Sequence, residues 1–584
     1  MSLDSEKQRA GVASSHGAKL EPGQLRERRR HPIGGWRAAG LILGVELCER
    51  LAFLGIGLNL VTYLHDIMHL PVPRSANIVT NFMGASYLTC LLGGFIADTY
   101  LGRYWTTVLG CIIQLLGMVL MMLTSTMAGW KPEACDMEAR EDCQEASGKQ
   151  LGVLYSALAM IAMGTGGAKS SVSGLGADQF QQEGEGEEGS SRAQKEMQSY
   201  FNWFGASVSG GGVLAVTLLV YLQDHAGRSL GYGASAACML VGLLLLLAGS
   251  PFFRCQAPSG SAFTLVAHVL VAAFRNRHLP SSNYGLSHQF SFLNKATTAP
   301  YSTSTTKKLE SPWRHSSTEK VEDVKMLIRL FPILATTIVF WTANVQALTF
   351  SIEQGATLDR RLGKSFEIPP ASFPVFLQLG MLLMIPLYDR VLIPLARRWR
   401  GNEYGITSLQ RIAIGLLIST LSMVVAALVE RRRLRVAHGF KLLSRGVTER
   451  LPMSIFYLTP QFLLVGIGEA FAYVGQIDFF YSESPLGMRS LSTGLCLSTL
   501  SFGLFLSSAL VSCVNRLTKH GPNNGWLTNN LDDGRLDYFY WFLALLSFLS
   551  FLAYLLCAYW HKYNHSLEDP NNDNKIVQNI KSKN

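Results

Sequence analysis

Apolar segments long enough to cross a lipid bilayer recur along the whole 584-residue chain. A helix needs about 20 apolar residues to span the hydrocarbon core. Within that core only helices and closed barrels satisfy every backbone hydrogen bond. Such segments fall near 36–65, 75–99, 104–127, 150–174, 199–222, 229–252, 324–352, 371–395, 406–430, 453–481, 489–515 and 537–560. Their length selects helices over strands, so the chain reads as an all-α membrane protein of about 12 transmembrane helices.

Charge and composition agree. Asp, Glu, Lys and Arg make up 16% of the residues, against about 25% in soluble domains. A net charge of +10 would suit nucleic acid. However, the basic residues sit in short loops beside apolar runs, where they orient a membrane protein. Membrane lipid is therefore the expected surrounding, and nucleic acid is not an expected partner. The ten cysteines show no metal-ligand spacing, and no metal site is expected. Cys48, Cys90, Cys111, Cys496 and Cys557 lie inside apolar runs and read as small buried hydrophobes. Cys135 and Cys143 lie in a polar loop, where an extracytoplasmic location would permit a disulfide. Residues 1–35 are polar and basic with no apolar core, so they read as a disordered cytoplasmic segment rather than a secretory signal.

The longest connection, 253–323, separates six spans from six, so the halves run over 36–252 and 324–562, with a disordered tail at 563–584. Phe263–Arg277 in that connection reads as an interfacial amphipathic helix. The connection carries eight Lys or Arg over 253–320 against Glu310 and Glu319, which places it in the cytoplasm. The basic cluster Arg26–Arg30 places the N-terminus on the same side, and the acidic 128–149 loop is then outside. One stretch conflicts: residues 431–450 are rich in arginine yet fall outside, unless span nine continues as a helix beyond the membrane.

An ionisable residue inside a span costs about 2.5–3.5 kcal/mol and marks a candidate site. Span one contains Glu46, Glu49 and Arg50, whose spacing suggests one helix face. Span four contains Lys169 and span ten Glu469, and no histidine lies in the core of a span. Transmembrane protons would therefore be carried by carboxylates. A neighbouring Arg or Lys would hold them ionised, and protonation would release the helices to move. No paired metal ligands or nucleophile–base motif is present, so an enzyme is not expected and no cofactor beyond the coupling proton is needed.

Between spans two and three, Gly94-Phe-Ile-Ala-Asp98-Thr-Tyr-Leu-Gly102-Arg103 resembles a loop motif of the major facilitator superfamily. Asp98 and Arg103 are expected to pair while the glycines allow a tight turn. Asp389 and Arg390 echo the motif after span eight, as expected of paired halves.

ELCER (46–50), GTGGAKSSVSGLGADQF (164–180), VEDVKMLIRLFPI (321–333), SFEIPPAS (365–372) and GRLDYFYW (534–541) together resemble the proton-coupled oligopeptide transporter family, in its plant nitrate/peptide branch. The resemblance implies a major facilitator fold, alternating access and proton symport, with Glu46, Glu49, Arg50, Lys169 and Glu469 as coupling residues. Arg50, Lys169 and Asn344 are the implied substrate-binding residues. Asn344 stands where the dual-affinity nitrate transporters carry histidine, and its neutral amide weakens the case for nitrate. Thr106 matches the phosphorylation switch of that group and implies a kinase. In FNWFGASVSG (201–210), Gly205 and Ser209 replace larger residues, either widening the cavity or reflecting drift. The expectation is symport of nitrate or a similar small anion across the plasma membrane rather than the vacuolar one. The alternatives are a larger organic solute (a phytohormone, a glucosinolate or a di- or tripeptide) and a nitrate-sensing transceptor. A homodimer is a further expectation.

Overall fold

The computed structural model describes residues 34–133, 144–180, 187–258, 260–279, 289–297, 313, 315–363, 366–368, 370–400, 406–443, 451–518, 525–527, 531–532 and 534–561. Cys135, Cys143, most of the Ser/Thr-rich 281–306 stretch, and the expected disordered ends lie outside the described residues.

Among the described residues, twelve helices outside the 253–317 connection follow one another as the bundle: α1 (Gly35–Gly57), α2 (Val72–Ile96), α3 (Gly102–Thr126), α4 (Gly148–Ala177), α5 (Glu187–Leu214), α6 (Arg228–Gly249), α7 (Thr318–Thr357), α8 (Val375–Leu387), α9 (Ser408–Leu443), α10 (Thr459–Ser482), α11 (Arg489–Thr518) and α12 (Leu536–Trp560). Length and apolar composition alone single out ten membrane-crossing segments among the described residues. One of these, Arg74–Thr126, has 53 residues and would reach about 80 Å as a single rod. It instead turns back through a π-helical turn, Ala97–Leu101, and Gly102 at φ 74°, a conformation that glycine adopts without a Cβ clash. Gly93 and Gly110, on either side of this turn, both abut residues 164–168 of α4, so the chain has reversed. The other departure is α1, whose Glu46, Glu49 and Arg50 make it too polar for a composition test. Helix α1 breaks at Leu58–Asn59 before a short helical continuation, Leu60–Asp66.

Helices α1–α6 pack mainly on one another, as do α7–α12. The two sets meet along α2 with α11 and α5 with α8. These two contacts exchange when the halves are exchanged, as repeated six-helix units require. The α2–α11 approach is close because Gly94 abuts the Ser490 and Leu491 backbone while Gly494 abuts that of Cys90. Any side chain larger than hydrogen would push these helices apart.

The connection between the halves contains the expected amphipathic helix, Ala262–Arg275, with Ser261 capping its first turn. Its buried residues Val269, Ala272 and Ala273 pack with Leu293 and with Val321 and Val324 of α7, leaving Phe263 and Phe274 exposed. Helix α7 begins at Thr318, capped by Ser317, so the connection ends earlier than the expected residue 323. The cap supplies the start signal, ahead of the first strongly apolar turn.

The arginine-rich stretch after span nine is largely helical. Helix α9 has 36 residues, about 54 Å and longer than a bilayer core. Residues 444–450 lie outside the described residues. Arg431, Arg432 and Arg435 are exposed, whereas Arg433 is 1% exposed. Arg433 donates to both oxygens of Glu430 at 2.8 Å, to Asp532 at 2.7 Å and to the Leu531 carbonyl at 3.1 Å. Gln354 of α7 donates to Glu430 at 2.5 Å. This cluster binds α9 to the end of α7 and to the α11–α12 loop, at the end of the bundle opposite the α6–α7 connection. There, Leu358–Asp359 also pairs in parallel with Leu451–Ser454. The described part of the arginine-rich stretch is thus the continuation of a helix longer than a bilayer core, with one of its arginines turned inward.

Replacing Arg433 with Met should leave Glu430 buried without its countercharge and cost about 3–5 kcal/mol. A clearly lower thermal midpoint of the purified protein is expected, with partial recovery in the Glu430→Gln/Arg433→Met double variant. An unchanged midpoint in Arg433→Met would mean that the cluster does not stabilise this end of the bundle.

Candidate functional site

Two glycine-lined approaches set the geometry. Gly110 on α3 and Gly164 on α4 each abut the other helix's backbone, which brings Gln114 and Lys169 to one level beside α1. Lys169 Nζ is paired with Glu49 Oε2 and lies 3.9 Å from Glu46 Oε1. Gln114 Nε2 donates to Glu49 Oε1 at 3.0 Å. All four side chains are buried: Glu46 and Glu49 are 2% exposed, Lys169 is 6% and Gln114 is 0%. The Phe53 ring lies 5.4 Å from Lys169 Nζ. Sequence reasoning missed Gln114. Its signal was a lone amide in an otherwise apolar run of span three.

Arg50 does not join this cluster, which corrects the expectation of one shared face. Adjacent helical residues point about 100° apart, so Arg50 turns away from Glu49. Its Nη1 donates to Tyr87 Oη at 3.0 Å, and its Nε is buried without a partner. Arg50 instead lines a cavity of about 170 Å³ between the halves, together with Tyr87, Trp341, Asn344, Glu469 and Tyr473. Apolar side chains such as Met83, Leu500 and Leu504 form much of the remaining wall. One water-sized sphere needs about 10–15 Å³ on this scale, so the cavity exceeds a bare nitrate.

Three expectations about the cavity need correction. Lys169, expected to bind substrate, is absent from its wall, because its ammonium is turned to Glu49 within the first half. Asn344 lines the cavity, but its amide is engaged: Nδ2 donates to Glu469 Oε1 at 3.5 Å and Oδ1 accepts from Ser419 at 3.0 Å. Gly205 opens no extra space. A Cβ there would lie 2.5 Å from Val474 and 3.0 Å from Ile385, so the missing side chain is filled by closer packing of α5 on α8 and α10. Ser209 is spent on the Gly205 carbonyl.

The loop motif also departs from expectation. Asp98 and Arg103 do not pair directly. Asp98 accepts from the backbone of Ser490 at 3.3 Å and Leu491 at 2.8 Å, at the N-terminus of α11. Free amide donors and the positive end of the helix dipole favour a carboxylate there. Arg103 Nη1 pairs with Asp178 at 2.5 Å, and its Nε donates to Ser490 Oγ at 2.9 Å. Tyr481 donates to Asp178 at 2.7 Å. Gly94 and Gly102 serve the helix approach and the turn described above. The second half makes a cross-half contact of its own through side chains: Asp389 accepts from the Asn202 amide of α5 at 3.0 Å, and Arg411 donates to the Asn202 amide oxygen at 2.6 Å. These contacts tie the halves together on the side of the connecting linker. Asp178, Tyr481 and Asn202 were missed as partners, although Asp178 and Asn202 lie within recognised motifs.

Thr106 is 4% exposed and donates to the Gly102 carbonyl at 2.9 Å. A kinase could not reach its hydroxyl in this conformation. The turn beside it would have to open first.

A model of the POT family matches residues 104–527. Protein NRT1/PTR FAMILY 6.2 of Arabidopsis thaliana is 45% identical over 91% of this chain and 92% of its own length. Protein NRT1/PTR FAMILY 6.3 of the same plant is 44% identical over 92% and 93%. Among solved structures, the POT family transporter PepTSo covers 92% of this chain and 99% of its own, at 20% identity and a TM-score of 0.59. An auto-inhibited POT family peptide transporter covers 91% and 98%, with a TM-score of 0.58. Both likenesses concern the fold.

Asp178→Asn removes the countercharge of Arg103 at little change in shape. Losing a hydrogen bond to a charged group costs about 1.5–3 kcal/mol, enough to shift a two-state population tenfold or more. Spin labels on the linker-side ends of α4 and α10 should report a longer distance in this variant. An unchanged distance distribution would show that this contact does not hold the halves together.

Proposed function

We propose that this chain, which belongs to the POT family of membrane transporters, is a proton-coupled symporter that carries an anionic solute across the plasma membrane by alternating access. The observation that supports this best is the division of labour between residues 49 and 50. Glu49 faces a buried Lys169 on one side of α1, while the neighbouring Arg50 faces the cavity on the other.

Protonating a carboxylate of the cluster removes one of the two negative charges that face Lys169 and changes how α1 is held against α4. Helix α1 is then free to shift against α4. Arg50 rides on the same turn of helix, so its position in the cavity changes with the state of the cluster. An anionic group on the solute fits Arg50, whose Nε lacks a partner. Glu469 in the wall would repel that group when ionised and would tolerate it when protonated or paired. With the linker-side contacts closed, the solute enters from the opposite side and leaves once those contacts part.

The cavity favours an organic carboxylate with an apolar body. Its volume exceeds a bare nitrate, its wall is aromatic and aliphatic, and Asn344 has its amide already engaged. Nitrate or another small inorganic anion remains the second reading, carried by the single cation at Arg50.

Uptake by expressing oocytes should rise in acidic medium, with labelled organic carboxylates exceeding labelled nitrate. The Glu46→Gln/Glu49→Gln double variant should abolish the stimulation by acid. Retained stimulation in that double variant would remove the coupling role of the cluster. Asn344→His should raise nitrate uptake about tenfold if an added cation there contributes about 1.4 kcal/mol of anion binding. No rise would place the anion site elsewhere.

A further inference from the structure

We propose that Gln114 on α3 is a positioning residue of the coupling site, holding Glu49 ionised against Lys169 so that Glu46 carries the proton. This inference rests on the coupling role proposed above for the cluster.

The two carboxylates differ in what their oxygens meet. Glu49 is complete: Oε2 is paired with Lys169 and Oε1 accepts from Gln114 at 3.0 Å. Glu46 is not. Its Oε1 stands 3.9 Å from Lys169, beyond hydrogen-bond reach, and its Oε2 is buried without a partner. A buried charged oxygen with no donor is unfavourable, whereas a carboxylate with a donor on each oxygen is well solvated by the protein. A proton arriving from water therefore forms its O–H bond at Glu46. The pair of Glu49 with Lys169 is left intact until the solute and the helices move. The proton leaves to water on the opposite side after the switch.

Gln114 is suited to this task because it donates without adding charge. A lysine or arginine there would supply a second cation and hold both carboxylates ionised. A methionine or leucine would leave Glu49 with one bare oxygen, like Glu46. The close approach of α3 and α4 at Gly110 and Gly164 lets the amide reach across.

The other groups facing the pair are Arg50 on α1, Tyr87 and Cys90 on α2, Cys111 on α3, Tyr200 on α5 and Tyr473 on α10. The phenols and thiols are neutral at and below neutral pH. Glu46, Glu49, Lys169 and Arg50 thus set the local charge.

The test titrates the full-length chain in lipid nanodiscs with pH and reads carboxyl protonation by infrared difference spectroscopy. Each variant is subtracted from the parent, so surface carboxyls cancel. Glu46→Gln should remove one titrating buried carboxyl. Gln114→Met should add a second, from Glu49, with proton affinity raised about tenfold as one hydrogen bond to the charged form is lost. A Gln114→Met titration identical to the parent's would overturn the proposal, and so would a buried band that survives Glu46→Gln but disappears in Glu49→Gln. If neither glutamate variant removes a titrating carboxyl, it is the coupling reading that fails, whatever Gln114 does. Should Gln114→Met not purify as a folded protein, Gln114→Glu serves in its place. Its own carboxyl donates to Glu49 only when protonated, so at least one extra buried group should titrate, and none doing so would count against the proposal.

Discussion

The pair of Lys169 with Glu49 is the constraint around which the first half is arranged. A lone ammonium or carboxylate at this depth would be costly, so each needs the other. Meeting that need requires α1 and α4 to present the two groups at one height, and α3 to close the site from the third side. Glycines at the α3–α4 contact shorten that approach. With Lys169 and Arg50 as the cations near Glu46 and Glu49, adding or removing one proton shifts the balance of buried charge at the site. In the proposed mechanism the protonation state of the cluster is therefore a mechanical variable.

The link from that variable to the solute is short. Residues 49 and 50 share one turn of one helix, so no loop or flexible side chain stands between the ion pair and the cavity wall. The linker-side contacts lie farther away and serve a different purpose. Asp98 and Asp389 each reach a helix of the opposite half, but with different donors: Asp98 meets backbone amides at the start of α11, and Asp389 meets the side-chain amide of Asn202 within α5. Such contacts hold well when aligned and weaken together when the helices tilt.

Much of this was legible in the sequence. Twelve spans, the division into halves and the chemically important charges of spans one, four and ten all follow from the cost of placing a charge in hydrocarbon. The partners did not follow. Arg103 is separated by 75 residues from Asp178, and Asp98 by 393 from Leu491. Local spacing favours the near partner, whereas packing selects the one that helix ends bring into line. Gln114 escaped because a neutral amide carries no comparable penalty and therefore no comparable signal. The direction in which Arg50 points was legible in principle, since one step along a helix is about 100°, but the face that meets the cavity depends on how α1 sits among its neighbours. At Gly205 the sequence left two readings, added cavity space or drift, and the packing removes the first. A small residue reads as added space in sequence, and the backbone takes up that space by closing on it.

The matched contacts of α2 with α11 and α5 with α8 carry one more consequence. They run past the cavity on both flanks, so the halves can tilt about them as about a pair of fulcrums. In the proposed alternating access, widening the mouth on one face narrows it on the other, so a continuous water-filled passage would not form. A membrane holding such a protein would stay insulated during turnover, and the proton gradient would not be drained by the machine that uses it.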